Sequence, residues 1–343
     1  MSAITELRHT TMTAFVNNRK NPRSFLKNLL FGRSETLDTE TIEIDVLEGD
    51  RDMAPFIKKN GEAMYVDGYT AKRYLVEAPN IRIKRGLDPS KLLDTRYPGS
   101  RIFETSGRLN SARRQHIADQ LTRMNEMIDN TEEWMAAQVL TGTVSYSVDQ
   151  EASFTITYPR PAGNNFTPTA WSGSTDIPGD FLTASEKMSE EVGLIPTDCI
   201  LGANAAADFR TNSAVQSLLD IRRYEFGNIS IGNFEESGAL YLGRLHGIRV
   251  WSYPRSINVN GTPTALVGTE KAHFVNTTPA AENVTYYGAI PDMDAGPTGV
   301  FKGERFSKSE KKFDPSTWEA LVHSRPLMVP RRPGAYVTAT IGS

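Results

Sequence analysis

Between Asn110 and Gly142 the chain reads NSARRQHIADQLTRMNEMIDNTEEWMAAQVLTG, with no proline and no interior glycine. Ile117, Leu121, Met124, Ile128, Met135 and Val139 follow at steps of four, three, four, seven and four, which lays them along one narrow helical stripe. The opposite face is charged or amidic, with Arg113, Arg114, Asp119, Arg123 and Glu126. This pattern predicts one long helix over 110–141, capped by the side-chain oxygen of Asn110 or Ser111 and closed by Gly142. At about 1.5 Å per residue it would run roughly 45 Å. Helices of globular domains usually run about three to four turns. A helix longer than the core it covers predicts an elongated, flattened protein whose other surfaces meet further chains.

Strand periodicity appears on both sides. Thr41–Val46 alternates, with Ile42, Ile44 and Val46 on one side, and Ala78–Lys84 does so with Ile81 and Ile83. The intervening stretch is polar and carries the hairpin signals Asn60-Gly61 and Asp67-Gly68, so it reads as an extended β excursion. A connection that long in a compact protein is commonly functional. After the helix, Thr143–Val148 and Ser153–Tyr158 predict a β hairpin. Residues 159–179, rich in Pro, Gly, Asn, Ser and Thr, are the sharpest change in composition and are expected to mark a domain boundary.

Beyond that boundary helix and strand signals alternate. Helices are expected over Asp180–Glu191 and Ala203–Leu219, and a short buried strand over Asp198–Leu201. Asn228–Gly238 reads as loop. Further strands are expected over Leu245–Tyr253, Thr264–Val267, Ala272–Val275 and Val284–Ala289. Two last strands, Trp318–Ser324 and Tyr336–Ile341, are separated by PLMVPRRPG. The fold class is α+β.

Length and composition allow about two domains with a real core: 343 residues, 39% hydrophobic and 23% charged. No apolar run reaches the roughly eighteen residues that a membrane helix needs. The opening MSAITELRHTTMTAF lacks the apolar stretch of a secretory signal, so the chain is expected to stay in the compartment where it is made. A net charge of −3 supplies no general attraction to nucleic acid. The charge is unevenly spread. Residues 1–34 form a basic arm with Arg8, Arg19, Lys20, Arg23, Lys27 and Arg33, and Phe25–Phe31 supplies a tether that needs something to dock on. Residues 35–52 are acidic. Arm and acidic segment suggest contact between neighbouring copies, or two solvated charge runs.

Candidate chemistry is sparse. His9, His116, His246, His273 and His323 are scattered without a metal-binding spacing, and Cys199 is the single cysteine, which excludes an internal disulfide and a cysteine-based zinc site. No nucleophile elbow, P-loop or dinucleotide fingerprint occurs, and Gly227, Gly232 and Gly238 are too far apart to cradle phosphate. Asp50-Arg51-Asp52 and Asp292-Met293-Asp294 are explained by turn chemistry before a metal is needed. Lys302, Arg305, Lys308, Lys311 and Lys312 could meet phosphates, but pairing with another chain or plain solvation accounts for them better. No catalytic residue, cofactor or metal ligand is expected.

In order, the elements are basic arm, long β excursion, long helix, β hairpin, α+β insertion and sheet-forming tail. With FLKNLLFGR, EAPNIRIKRGLDP, RLNSARRQHIADQLTRMNEMIDNTEEWMAAQVLTGTVSY and KKFDPSTWEALVHSRPLMVPRRPGAYVTATI, the chain resembles the lambda-like major head protein family, phage capsid protein E, which has the Hong Kong 97-like fold.

The resemblance implies an N-terminal arm over 1–45 and an E-loop over 46–88. It implies a P-domain over 89–174 and 300–343, with its spine helix at about 110–141, and an A-domain over 175–299. It implies subunits that assemble as hexamers and pentamers into an icosahedral shell around double-stranded DNA. Scaffolding, portal and decoration proteins would be partners, and the shell would form in the host cytoplasm and end in the virion. Assembly contacts are then expected at Arg19, Lys20, Arg23, Phe25, Phe31, Asp52, Phe56, Lys58, Lys59, Tyr65, Tyr69 and Arg73. The helical stripe should face the sheet formed by 143–158 and 318–341. The alternatives are a tail or adaptor-ring protein and a soluble α+β enzyme centred on 175–300.

Overall fold

The stripe of 117–139 lies on one helix, Gly107–Thr141, in a computed structural model that describes residues 9–17, 24–48, 70–87, 107–148, 152–219, 238–259, 261–295, 299–312 and 318–342. The helix starts earlier than expected, which places Asn110 and Ser111 inside it. It ends as expected: Gly142 takes a left-handed φ of 87° and its amide donates to the Val139 carbonyl at 2.9 Å.

The stripe is buried in two groups. Leu121, Met124 and Ile128 pack with Met12 and Val16 of a short first helix, His9–Asn17, and with Ala320 and Val322 of the tail. Met135 and Val139 join Val144 and Tyr158 of the hairpin and Leu327, Met328, Val329 and Tyr336 of the tail. Each large aliphatic chain buried this way contributes about 1.5–3 kcal/mol. The first helix was not expected. Its apolar anchors are few, and it gains its place from the long helix and from the strand Phe306–Lys311, where the Thr13 hydroxyl donates to the Ser307 carbonyl at 3.1 Å.

The central six-stranded sheet runs, in spatial order, Asn165–Phe166, Tyr336–Thr340, Lys271–Val275, Asp198–Leu201, Ile248–Ser252 and Leu240–Leu245. Helix Ile177–Val192 lays Ile177, Phe181, Ala184 and Met188 on its core. Asp176 caps that helix through the Gly179 amide at 3.0 Å, and Gly193 closes it. The tail strand Tyr336–Thr340 and residues 165–166 both lie in this sheet. The Pro- and Gly-rich stretch 159–179 therefore carries a strand of it, and the largest core cluster draws from the arm, the long helix, Ile200, Trp251 and the tail together.

Four expected elements differ in detail. Ala203–Leu219 is two helices, Ala203–Thr211 and Ser213–Leu219, because the Asn212 side chain accepts the Ala214 and Val215 amides and starts a second cap. In place of one strand over Leu245–Tyr253, Leu240–Leu245 and Ile248–Ser252 form a hairpin whose turn residues, His246 and Gly247, both have positive φ. Thr264–Val267 is shifted to Thr262–Ala265, paired with Ser256–Val259. PLMVP is a fully buried strand, Pro326–Pro330, where a connection was expected. It is an edge strand of a three-stranded sheet with Asn283–Tyr287 and Arg33–Thr36, and its prolines stand at its two ends, where a missing amide is tolerated.

The excursion after the arm becomes a ribbon. Thr41–Glu48 pairs antiparallel with Thr70–Glu77, from Thr41 opposite Glu77 to Glu48 opposite Thr70, as a two-stranded sheet among the described residues. Ile81–Leu87 leaves the ribbon and pairs with Trp318–Ser324.

Candidate functional site

Among the described residues, no three His, Cys, Asp or Glu side chains gather in a way that could hold a metal ion. Cys199 is fully buried in the central sheet, and burial, then the Asp198 charge, push its thiol well up, away from a reactive thiolate. Lys308 Nζ sits between Asp292 (2.6 Å) and Asp294 (3.1 Å), and the Asp294 amide donates to the Asp292 side chain at 3.0 Å. That acid pair is thus a lysine-braced turn. Two further basic residues of 302–312 also find partners within the chain. Lys302 meets Asp38 at 2.9 Å and Lys312 meets Glu319 at 2.6 Å.

The strongest polar feature is buried beside the arm. Glu132 is fully buried on the long helix, with Lys27 Nζ at 2.6 Å and Arg305 Nη2 at 3.0 Å from its Oε2. Arg305 also reaches Asp129 Oδ1 at 2.5 Å and the side-chain Oδ1 of Asn125, and the Tyr287 hydroxyl donates to Glu132 Oε1 at 3.3 Å. Burial alone would push the Glu132 carboxyl up; Arg305 and Lys27 outweigh it and hold the group below its ordinary range. A buried carboxylate with one partner removed is costly, so the cluster fastens three distant segments to each other.

Glu133, the next residue, caps the arm helix Phe25–Leu30. Its Oε1 accepts the Leu26 amide at 2.7 Å and the Tyr253 hydroxyl at 2.8 Å, and its Oε2 accepts the Lys27 amide at 3.0 Å. Ser24 makes no side-chain cap there, so a carboxylate from another helix supplies the acceptor. The Phe25 ring lies 5.2 Å from the rings of both Trp251 and Tyr253.

These contacts locate two expected assembly residues. Phe25 and Phe31 are buried in the core of their own subunit, at 5% and 3% exposure, so the tether docks within the chain. The acidic segment behaves likewise. Glu35 pairs with Arg33, Asp38 with Lys302, Glu40 with Arg325 and Glu43 with Arg73, all in the same chain. Arg73, another expected contact, braces the ribbon through Glu43 at 3.4 Å, an exposed pair of small energetic weight. Arg19, Lys20, Arg23, Asp52, Phe56, Lys58, Lys59, Tyr65 and Tyr69 lie outside the described residues.

Sequence reasoning missed Glu132, Glu133 and Arg305. One signal was available: the stripe's only seven-residue step, from Ile128 to Met135, passes over Glu132 where an apolar residue would complete it. It also missed Leu75, which stands 68% exposed on the ribbon, beside a neighbouring hairpin carrying Phe154 at 52% exposure. Tyr74, Val76, Tyr146, Phe154 and Ile156 line one cleft between ribbon and hairpin, with the Tyr146 and Phe154 rings stacked at 5.8 Å.

The family model of phage major capsid protein E matches residues 9–341. The chain belongs to that family. It is a major capsid protein of a tailed phage with the Hong Kong 97-like fold, a shell-forming component of the virion. Solved structures agree on the fold. A prophage capsid protein of E. coli CFT073 superposes with a TM-score of 0.71 at 18% identity, over 98% of this chain and 99% of that one. A phage-related protein of Bordetella bronchiseptica RB50 gives 0.58 at 11% identity, over 97% of each chain. The capsid of cyanophage P-SCSP1u gives 0.51 at 10% identity, over 95% of this chain and 90% of that one. No curated protein matches the capsid protein in sequence. No helix among its described residues is long and apolar enough to cross a membrane.

Proposed function

We propose that this capsid protein assembles as hexamers and pentamers of an icosahedral shell around double-stranded DNA, with the ribbon of Thr41–Glu48 and Thr70–Glu77 as the contact between copies. The observation that carries the reading is the ribbon itself: two strands that, among the described residues, pair only with each other and present Leu75 to solvent next to the exposed Phe154. A ribbon of that kind gains little stability alone and becomes ordered against a partner. In this reading residues 1–45 are the arm, 46–88 the E-loop, 89–174 and 300–343 the P-domain, and 175–299 the A-domain. The arm is fastened to the spine helix of its own subunit by Lys27, Glu132 and Glu133. That leaves the ribbon, Leu75 above all, to reach the neighbour.

The protein has no catalytic role in this account. Assembly takes place in the host cytoplasm with scaffolding, portal and decoration proteins, and DNA is enclosed without sequence-specific contacts. The net charge of −3 fits a wall that does not hold the DNA it surrounds. The test is electron microscopy and sedimentation of the protein expressed with its scaffold. Closed shells, or rings of five and six copies, are expected. Tubes, or monomers alone, would overturn the proposal.

A further inference from the structure

The ribbon joins the body at two points, Thr39–Glu40 on the way out and Glu77–Ala78 on the way back, and one guanidinium touches both. Arg325 is the single residue between strands Trp318–Ser324 and Pro326–Pro330, and it is 4% exposed. Its Nη1 forms an ion pair with Glu40 Oε1 at 3.1 Å and donates to the Ala289 carbonyl at 3.3 Å. Its Nη2 donates to Glu77 Oε1 at 3.4 Å and to the Ala78 carbonyl at 3.4 Å. The two carboxylates are 51% and 76% exposed, so the fixed half of each pair is the arginine and the outward half belongs to the root of the ribbon.

The surrounding backbone is arranged for close approach. The Ala78 amide donates to the Glu40 carbonyl at 3.3 Å, the Ala289 amide to the Thr39 carbonyl at 3.0 Å, and the Gly288 amide to the Arg325 carbonyl at 2.9 Å. A side chain at Gly288 would put its Cβ 3.1 Å from the Ala78 Cβ and 3.6 Å from the Thr39 and Glu40 carbonyls, so glycine lets the root sit directly on the body. A guanidinium offers donors in a fixed planar fork, which fixes two acceptors relative to each other as a lysine cannot. Buried as it is, Arg325 strongly favours keeping its partners.

We propose that Arg325 is a positioning residue that sets the angle at which the ribbon leaves the body, by gripping one carboxylate at the root of each strand. The proposal rests on the reading of the ribbon as the contact between copies: a clamped ribbon presents Leu75 in one direction, whereas an unclamped one sweeps through many and meets its neighbour less often.

The test uses the full chain with Leu75→Cys and Glu186→Cys for spin labelling, since Cys199 is buried and stays unlabelled in the folded protein. The distance distribution between ribbon and body is measured by pulsed dipolar spectroscopy on unassembled subunits. Glu40→Gln with Glu77→Gln alters only outward-facing groups and leaves the core intact. It is expected to broaden the distribution, to make the Ala78 and Ala289 amides exchange roughly tenfold faster, and to lower the melting temperature, since a buried guanidinium loses both counter-charges. Arg325→Lys, which keeps the charge and loses the fork, is expected to broaden it as well. An unchanged distribution in the double glutamine variant overturns the clamp, whatever the shells do. A broadened distribution supports the clamp, and shell yield is scored separately without the labelling cysteines. Wild-type yield alongside a broadened distribution would count against the ribbon as the contact while leaving the clamp in place.

Discussion

Lys27 Nζ and Glu132 Oε2 meet at 2.6 Å across 105 residues of sequence. The carboxylate is fully buried and the lysine largely so. This pair, with Arg305 on its other side, makes the N-terminal arm part of the subunit's own interior. The helix Phe25–Leu30, too short to be stable alone, is held by these contacts within one chain.

Glu132→Gln removes the charge that Lys27 and Arg305 share and leaves a buried ammonium with no carboxylate. The expected cost is about 3 kcal/mol, the usual range for breaking a buried ion pair on one side. It is measured as a lower midpoint of urea unfolding with an unchanged slope. A shift within about 0.5 kcal/mol, the level of an ordinary surface substitution, would mean that the cluster is solvated.

Glu133→Ala acts more locally. It strips the arm helix of the acceptor for its Leu26 and Lys27 amides and frees the Tyr253 hydroxyl. Hydrogen–deuterium exchange should rise across 25–31 while the central sheet keeps its protection, with a cost of about 2 kcal/mol for hydrogen bonds to a charged group. Uniform loss of protection across both regions would contradict a role confined to the cap.

Two buried histidines set an acid limit. Burial, then Arg82 and Arg325, lower His323 to about 4, and burial, then Arg160 and Lys271, lower His273 to about 3. An unfolded histidine takes up its proton near the ordinary value of about 6.5. Between about 6.5 and 4 the unfolded chain therefore binds more protons than the folded one, and stability falls as pH falls, by about 1.4 kcal/mol per pH unit for each group. Glu132, held below its ordinary range, extends the loss further toward acid. Both ring nitrogens of His323 are buried without a hydrogen-bond partner. His323→Leu should thus raise stability near neutral pH by about 1 kcal/mol and remove one histidine's share of the slope. Unfolding curves from pH 7 to pH 4 check both, and an unaltered slope would contradict the assignment.

Leu75→Glu with Phe154→Ser places polar groups on two exposed positions. Thermal stability should stay within about 0.5 kcal/mol of wild type, while shell formation is lost. Normal shells from this variant would remove the ribbon surface from the account. A fall in stability would mean that the two side chains are packed in the free subunit.

The long helix was legible because six apolar residues keep a helical step over more than twenty positions, and a pattern that long survives any tertiary context. The hairpin after it was legible for the same reason, in the period of two. The strand Pro326–Pro330 was hidden by its own prolines, which read as a turn until the edge position of the strand explains them. The charge cluster was hidden differently. Lys27, Glu132 and Arg305 look like solvated charges one by one, and only the fold brings them within hydrogen-bonding distance. Arg325 is the same case, an arginine in a basic-looking tail whose partners lie at the two ends of a distant ribbon. Leu75 was passed over because Tyr74, Leu75 and Val76 are three apolar residues in a row with no alternation to show which one faces out, and its exposure depends on what the ribbon does not pack against.

The central claim is that the ribbon carries the contact between copies, and the measurement that meets it most directly is a cryo-electron microscopy map of the assembled shell. The account predicts the ribbon of each subunit lying over an adjacent copy, with Leu75 covered by that copy. A ribbon folded back on its own subunit, or Leu75 open to solvent in the closed shell, would contradict it.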